Sequence, residues 1–334
     1  MSASKSIIGI HFKGSRDLRA IPARAPGPWL IRVVGDGAVR YREPMSSPRH
    51  PRTDRRAWLV RAAAWSLAPC VVPAARAQAA ALPLFDAHLH YSHDAWQRIP
   101  PPQAVALLRE AGLKKAMVSS SSDEGTQKLY ALAPELVVPV LRPYRSRGEI
   151  GTWVHDRSIV GHLQERLARY RYVGLGEYHV FGADADLPVM RSVVQLARER
   201  GLLLHSHSDA EAVERQFLQW PEARILWAHA GFDAPENVAA VLRRHRRLWV
   251  DLAFRSDHAS GSTVEPGWRA LFTEFPDRVL LGTDTFTPER WYYVGEHARW
   301  SRQWLATLPA DVAERIAWKN GEALLAALPP LGAR

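Results

Sequence analysis

The sequence predicts an α/β chain: a single (β/α)8, TIM-like barrel preceded by a cleavable or disordered N-terminal segment. Three observations predict it. From residue 82 onward, short apolar runs rich in β-branched residues alternate with longer amphipathic stretches, the pattern of a parallel sheet. Eight such runs can be counted. About 250 residues hold them, the usual size of a closed (β/α)8 barrel, and the text shows neither an internal repeat nor a second domain.

Strands are expected at 84–90, 115–120, 136–141, 172–177, 202–207, 224–229, 248–254 and 278–283. Helical patterns fall between them, at 102–111, 159–170, 188–200, 210–220, 234–245 and 267–275, with a last helix over about 310–328. An open doubly wound sheet has the same count. No glycine-rich phosphate loop follows the first strand, which argues against its nucleotide-binding version.

Residues 1–80 read differently, being rich in Pro, Arg and Ala without sustained periodicity. Asp54-Arg55-Arg56-Ala57-Trp58-Leu59-Val60 leads into a mild apolar stretch over 62–72 and then Ala75-Arg76-Ala77, a small-residue cleavage site before Gln78. That order is that of a secretory signal, and the paired arginines resemble a twin-arginine address. The apolar stretch is shorter than the roughly 20 residues needed to span a bilayer. Met45 stands ten residues before Arg55, so residues 1–44 are expected to lie upstream of the true start, 45–77 to form the signal and 78–334 the barrel. The expected location is periplasmic, with no membrane anchoring after cleavage. The alternative is a cytoplasmic enzyme with a disordered basic leader.

The formal charge of +10 sits in that leader. Residues 1–80 carry 14 Lys/Arg against 4 Asp/Glu, which leaves 30 of each sign in the remainder. A polyanion partner needs a dense basic face on the folded domain, so nucleic-acid binding is not expected. The run Arg243-Arg244-His245-Arg246-Arg247 reads as the solvated C-terminal end of a helix. The single Cys70 excludes an intramolecular disulfide and a thiolate zinc cage, so any metal must use imidazole and carboxylate.

In such a barrel the C-terminal strand ends form the active face. The first strand ends Phe85-Asp86-Ala87-His88-Leu89-His90, and residues two apart share one face of a strand. The fourth ends Gly174-Leu175-Gly176-Glu177-Tyr178-His179, the fifth Leu204-His205-Ser206-His207, the sixth Trp227-Ala228-His229-Ala230-Gly231 and the eighth Leu281-Gly282-Thr283-Asp284. Taken singly, each has an ordinary explanation: a strand-end His is often a hydrogen-bonded core residue, and Asp284 can cap the following turn. Together they put His or Asp at four converging strand ends and Glu at a fifth. So many buried imidazoles and carboxylates are expensive to desolvate unless they coordinate an ion.

At this point the pattern resembles the amidohydrolase superfamily, and within it the amidohydrolase-related (amidohydrolase 2) family, over residues 84–328. The resemblance implies metal ligation by His88 and His90 of the Asp-x-His-x-His motif, by a His on each of strands five and six, and by Asp284. His229 takes the strand-six position. On strand five both His205 and His207 point inward by alternation. His207 is preferred because it is nearer the strand end and precedes Ser208-Asp209-Ala210, which looks like the family's loop. Glu177 stands where members with two metals carry a bridge, so a bridged binuclear site and a mononuclear site with Glu177 behind it both remain open. Ile316-Ala317-Trp318-Lys319-Asn320-Gly321 resembles the family's terminal helix, whose Asn packs beneath the barrel.

The resemblance further implies a metal-dependent hydrolase acting on an ester, lactone, amide or similar bond of a small molecule, with one or two divalent ions. Zinc is the first choice, and manganese or iron accept the same ligands. Asp284 is then general base and acid, and His205 or His179 stabilises the oxyanion. Arg142 and Arg255 follow strands three and seven and are candidates to bind a substrate carboxylate, with His179 beside them. Trp153, Trp291 and Tyr292 are candidates for an apolar lining. The alternatives are a metal-dependent decarboxylase of the same family and a non-catalytic periplasmic metal- or ligand-binding barrel. Oligomeric state is not readable.

Overall fold

The computed structural model describes residues 81–331. The expected signal segment, with its arginine pair, Cys70 and Ala75-Arg76-Ala77, lies outside the described residues.

All eight expected strands form, each within a few residues of its expected bounds: β1 (Leu84–Leu89), β2 (Leu113–Val118), β3 (Val137–Leu141), β4 (Gly174–His179), β5 (Leu203–His207), β6 (Ile225–Trp227), β7 (Leu248–Asp251) and β8 (Val279–Leu280). They pair in sequence order, every neighbour parallel. The seam between β8 and β1 is bridged by Ala87 N–H to Leu281 O (2.9 Å), Asp284 N–H to His88 O (2.8 Å) and His90 N–H to Thr285 O (2.9 Å). The result is a nearly closed (β/α)8 barrel.

Helices cover the outside, and local chemistry sets their ends. Those at Pro101–Glu110, Pro188–Arg200, Pro235–Arg244 and Pro266–Glu274 begin on a proline, whose fixed φ suits the first turn and whose missing N–H would be unpaired there. Pro188–Arg200 matches its expected span residue for residue. Arg243 and Arg244 lie in the last turn of their helix and pair with Glu274 and Glu214 across the surface. The expected final helix is interrupted: Ala310–Glu314 passes through a π-type turn, Arg315–Lys319, into Asn320–Ala326.

The barrel lumen is packed by Phe85, Ala87, Met117, Val138, Val140, Val173, Leu203, Leu226 and Leu280, with Leu324 and Leu328 of the terminal segment below them. Asn320 ties that segment to the barrel by donating from Nδ2 to Pro276 O and Val279 O, both at 2.8 Å. A Cβ on Gly321 would stand 2.4 Å from the Phe85 ring, so only glycine lets the plug seat. Polar groups can therefore collect only at the upper end of the lumen.

Candidate metal centre

Two strands that supply polar residues to that upper end carry irregular register. On β1 the pairing shifts between Asp86 and Leu89, and on β4 between Gly176 and Tyr178. Such shifts re-aim side chains, here at His88 and Glu177. Gly176 makes the second possible: its φ is +130°, and a Cβ there would lie 2.1 Å from His205 O.

Glu177 is the centre of the cluster. Its Oε2 faces His88 Nε2 (3.3 Å) and His90 Nε2 (3.2 Å), and its Oε1 faces His207 Nδ1 (2.7 Å) and His229 Nε2 (3.5 Å). Asp284 Oδ1 adds a second carboxylate, 3.2 Å from His90 Nε2 and 3.7 Å from His88 Nε2. Three of the imidazoles have their other nitrogen tied to an acceptor. His88 Nδ1 donates to Asp251 Oδ2 (3.3 Å), His229 Nδ1 to Ala253 O (2.7 Å) and His90 Nδ1 to Ser119 O. Each therefore turns its Nε2 toward Glu177.

Charge tells the same story. Burial would raise the carboxyls of Glu177, Asp251 and Asp284, yet His88 opposite each of them, with Arg142 beside Glu177, His205 beside Asp251 and His90 beside Asp284, holds all three below the usual carboxylate range. Burial disfavours a charge on His88, but Glu177, Asp251 and Asp284 outweigh it and push its pKa well above that of an ordinary imidazole. Burial, with His88 adding to it, takes His205 down to about 4. Burial takes His179 down to about 3, against the pull of Glu177. Three buried carboxylates thus face one buried guanidinium and a cluster of converging imidazoles. A divalent cation fits that donor set: His88, His90 and Glu177 present donor atoms within 4.8 Å of one another, and so do Glu177, His179 and His207.

The family model described as Amidohydrolase matches residues 85–326, most of the chain. The chain belongs to the amidohydrolase family. Among solved structures it is similar to an uncharacterised TIM-barrel protein from Bordetella bronchiseptica, at 16% identity and TM-score 0.52, covering 74% of this chain and 99% of that one. It is also similar to a Pseudomonas putida protein assigned as a 2-pyrone-4,6-dicarboxylic acid hydrolase, at 17% identity and TM-score 0.50, covering 74% and 98%. Both likenesses concern the fold. No curated protein matches the chain by sequence.

In this amidohydrolase the structure brings together His88, His90, Glu177, His207, His229 and Asp284. A cavity of about 120 Å³ opens on His90, Glu177, His207 and Asp284, lined also by Ser92, Arg142, Arg147, Ile150, His179 and Phe286. His179 stacks on His207 at 4.0 Å, and its Nδ1 takes the Tyr144 hydroxyl at 2.8 Å. Asp284 is not a helix cap; Thr287 caps the next helix through Arg290 N–H.

Four expectations are corrected. His205 lies deeper than His207, 1% exposed, with Nε2 on Asp251 (3.2 Å); it does not line the cavity and cannot meet an oxyanion there. Arg255 gives its guanidinium to Asp257 and to the carbonyls of His229 and Asp233, away from the cavity. Arg142 does line the cavity, but its Nη2 is held by Glu177 Oε2 at 2.6 Å and its Nε by Glu177 O at 3.1 Å, so it orients the carboxylate. Trp153 and Trp291 are buried in the outer core, and exposed Tyr292 is outside the lining.

Asp251, Arg147 and Ser119 went unnoticed in the sequence. Asp251 ends an apolar strand, the same signal that singles out Asp284. Its Oδ2 takes both His88 and His205, and its Oδ1 takes the N–H groups of His229 (2.9 Å) and Ala253 (3.0 Å).

Proposed function

We propose that the protein is a metal-dependent hydrolase using two ions bridged by Glu177. His88, His90 and Asp284 would hold one, His207 and His229 the other. The observation that carries this reading is the division of Glu177 between two imidazole pairs, one at each carboxylate oxygen. Zinc suits the nitrogen-rich set.

When bound, such a cation supplies Lewis acidity, bringing the pKa of water from 15.7 toward about 7 and polarising a substrate carbonyl. The chain's own residues do the rest. Asp284, ionised and at the cavity wall, accepts the proton of the attacking water and returns it to the leaving group. The Tyr144 hydroxyl on His179 Nδ1 leaves the His179 proton on Nε2, where it can donate to an oxyanion. Arg147 is the cavity cation not consumed by Glu177; it pairs with Asp94 and is the candidate anchor for a substrate carboxylate.

The test is metal content of the purified full-length protein beside His88→Ala/His90→Ala, followed by an ester and lactone screen. Two equivalents of metal, lost in the variant, with hydrolysis that a chelator abolishes and zinc restores, is the expected result. Carbon dioxide release without water consumption would assign a lyase instead. Tight metal binding without turnover would assign a binding protein. A folded chain that takes up no metal would overturn the reading.

A further inference from the structure

The mouth of the barrel carries an apolar element that the metal-directed residues leave unexplained. Phe181, Phe232 and Phe254 follow β4, β6 and β7, and each is about half exposed. Phe232 lies flat on the His229 imidazole, with ring centroids 4.5 Å apart and planes 15° from parallel. It meets Phe254 edge-on at 6.4 Å, and Phe254 reaches Phe286 of the cavity wall at 6.0 Å. Phe181 approaches His207 edge-on at 5.9 Å. Scattered exposed apolar residues need no explanation, but a continuous aromatic patch beside a site does.

Backbone strain marks the same residues. Phe232 and Phe254 hold φ of +53° and +56°, a conformation in which a bulky side chain is a true outlier. Among the described residues, the other non-glycine positive φ values belong to His229, Ala230 and Asp284. All five thus sit in the segments that leave β6, β7 and β8 and frame the metal centre. Strain of this kind, about 1–3 kcal/mol per residue, concentrates where the surroundings use it. Arg290 holds the phenylalanines from behind, its guanidinium 4.7 Å from the Phe254 ring and 5.7 Å from Phe286, while Nε donates to Asp284 O.

Size decides what lies there. The cavity of about 120 Å³ is far below the roughly 300 Å³ of an ordinary ligand pocket. It takes the reacting group, and the rest of a substrate must extend over the rim.

We propose that Phe232, Phe254 and Phe286 form an aryl-binding wall that sets substrate preference, so that the substrate carries an aromatic ring next to its scissile bond. The assignment rests on the hydrolase reading above for the bond, but not for the ring. The wall is held before the substrate arrives, so little order is lost on binding.

The test uses the full-length protein loaded with zinc. kcat/KM is measured for phenyl acetate and ethyl acetate in the wild type and in Phe232→Ala/Phe254→Ala, the ratio within each protein cancelling the reactivity of the esters. In parallel, calorimetry measures binding of benzylphosphonate and methylphosphonate. The phenyl-to-ethyl ratio is expected to fall by about tenfold or more in the double variant, the range for removing an aromatic contact surface. The affinity of benzylphosphonate relative to methylphosphonate falls with it, and Phe232→Trp/Phe254→Trp retains both preferences. Should neither ester be hydrolysed while the variant still loses its benzyl preference, the hydrolase reading fails and the wall stands. A folded double variant with both preferences intact overturns the proposal. Phe254→Ala alone provides the same readings if the double variant does not fold.

Discussion

Asp251→Asn changes one oxygen to an amide at the point where β7 meets the floor of the metal centre. In the wild type, Oδ1 takes two backbone N–H groups and Oδ2 takes His88 and His205. The asparagine carbonyl can serve one of these pairs and not both. Facing the backbone pair keeps the His229 segment in place, and the amide N–H2 then points at the imidazoles. His88 Nδ1 must accept where it donated, which transfers its proton to Nε2, the atom turned toward Glu177. A lone pair needed by a cation becomes an N–H. The loss of such an orienting partner lowers metal affinity by about 10–100-fold, which is about 1.4–2.8 kcal/mol. Competition against a chromogenic chelator, with wild type and variant at the same pH, reads this directly. Circular dichroism confirms that the variant is folded. Unchanged metal affinity in a folded Asp251→Asn protein would refute the argument that Asp251 sets the His88 tautomer.

Other outcomes are expected. His258 is buried against Trp300 and Trp304, neither ring nitrogen has a hydrogen-bond partner among the described residues, and burial lowers its pKa to about 4. The unfolded chain therefore takes up the proton first as pH falls. The stability held above pH 6.5 is lost toward pH 4, about 2 kcal/mol of it by pH 5. Urea unfolding of wild type and His258→Leu at pH 7 and pH 5 should show this loss only in the wild type; equal losses would sink the reasoning. Gly176→Ala puts a Cβ into His205 O at a φ open only to glycine, so soluble folded protein should fall sharply, and normal yield and melting temperature would contradict it. The Arg55-Arg56 signal reading requires the exported protein to begin at Gln78, which N-terminal sequencing checks, and Arg55→Lys/Arg56→Lys to keep it in the cytoplasm.

By itself the sequence determined the eight strand positions and their parallel order, and it marked the strand ends where chemistry collects. It did so because strand and helix periods, proline starts and polar residues closing apolar runs are written in near neighbours. It also placed the excess of positive charge within residues 1–80. Tertiary structure decided the rest. Alternation put His205 and His207 on one face without saying which lies deeper, because depth is set by how far β5 is staggered against its neighbours β4 and β6. The sequence offered Arg142 and Arg255 as substrate groups, and closure of the barrel gave both to protein acceptors. Asp251 looked like any strand-end Asp until folding brought it under His88, far away in the chain. Phe232, Phe254 and Phe286 come from three separate loops, so no local pattern announces that they meet. Local order follows from local chemistry, whereas the depth, register and partners of a side chain come from contacts made only when the barrel closes.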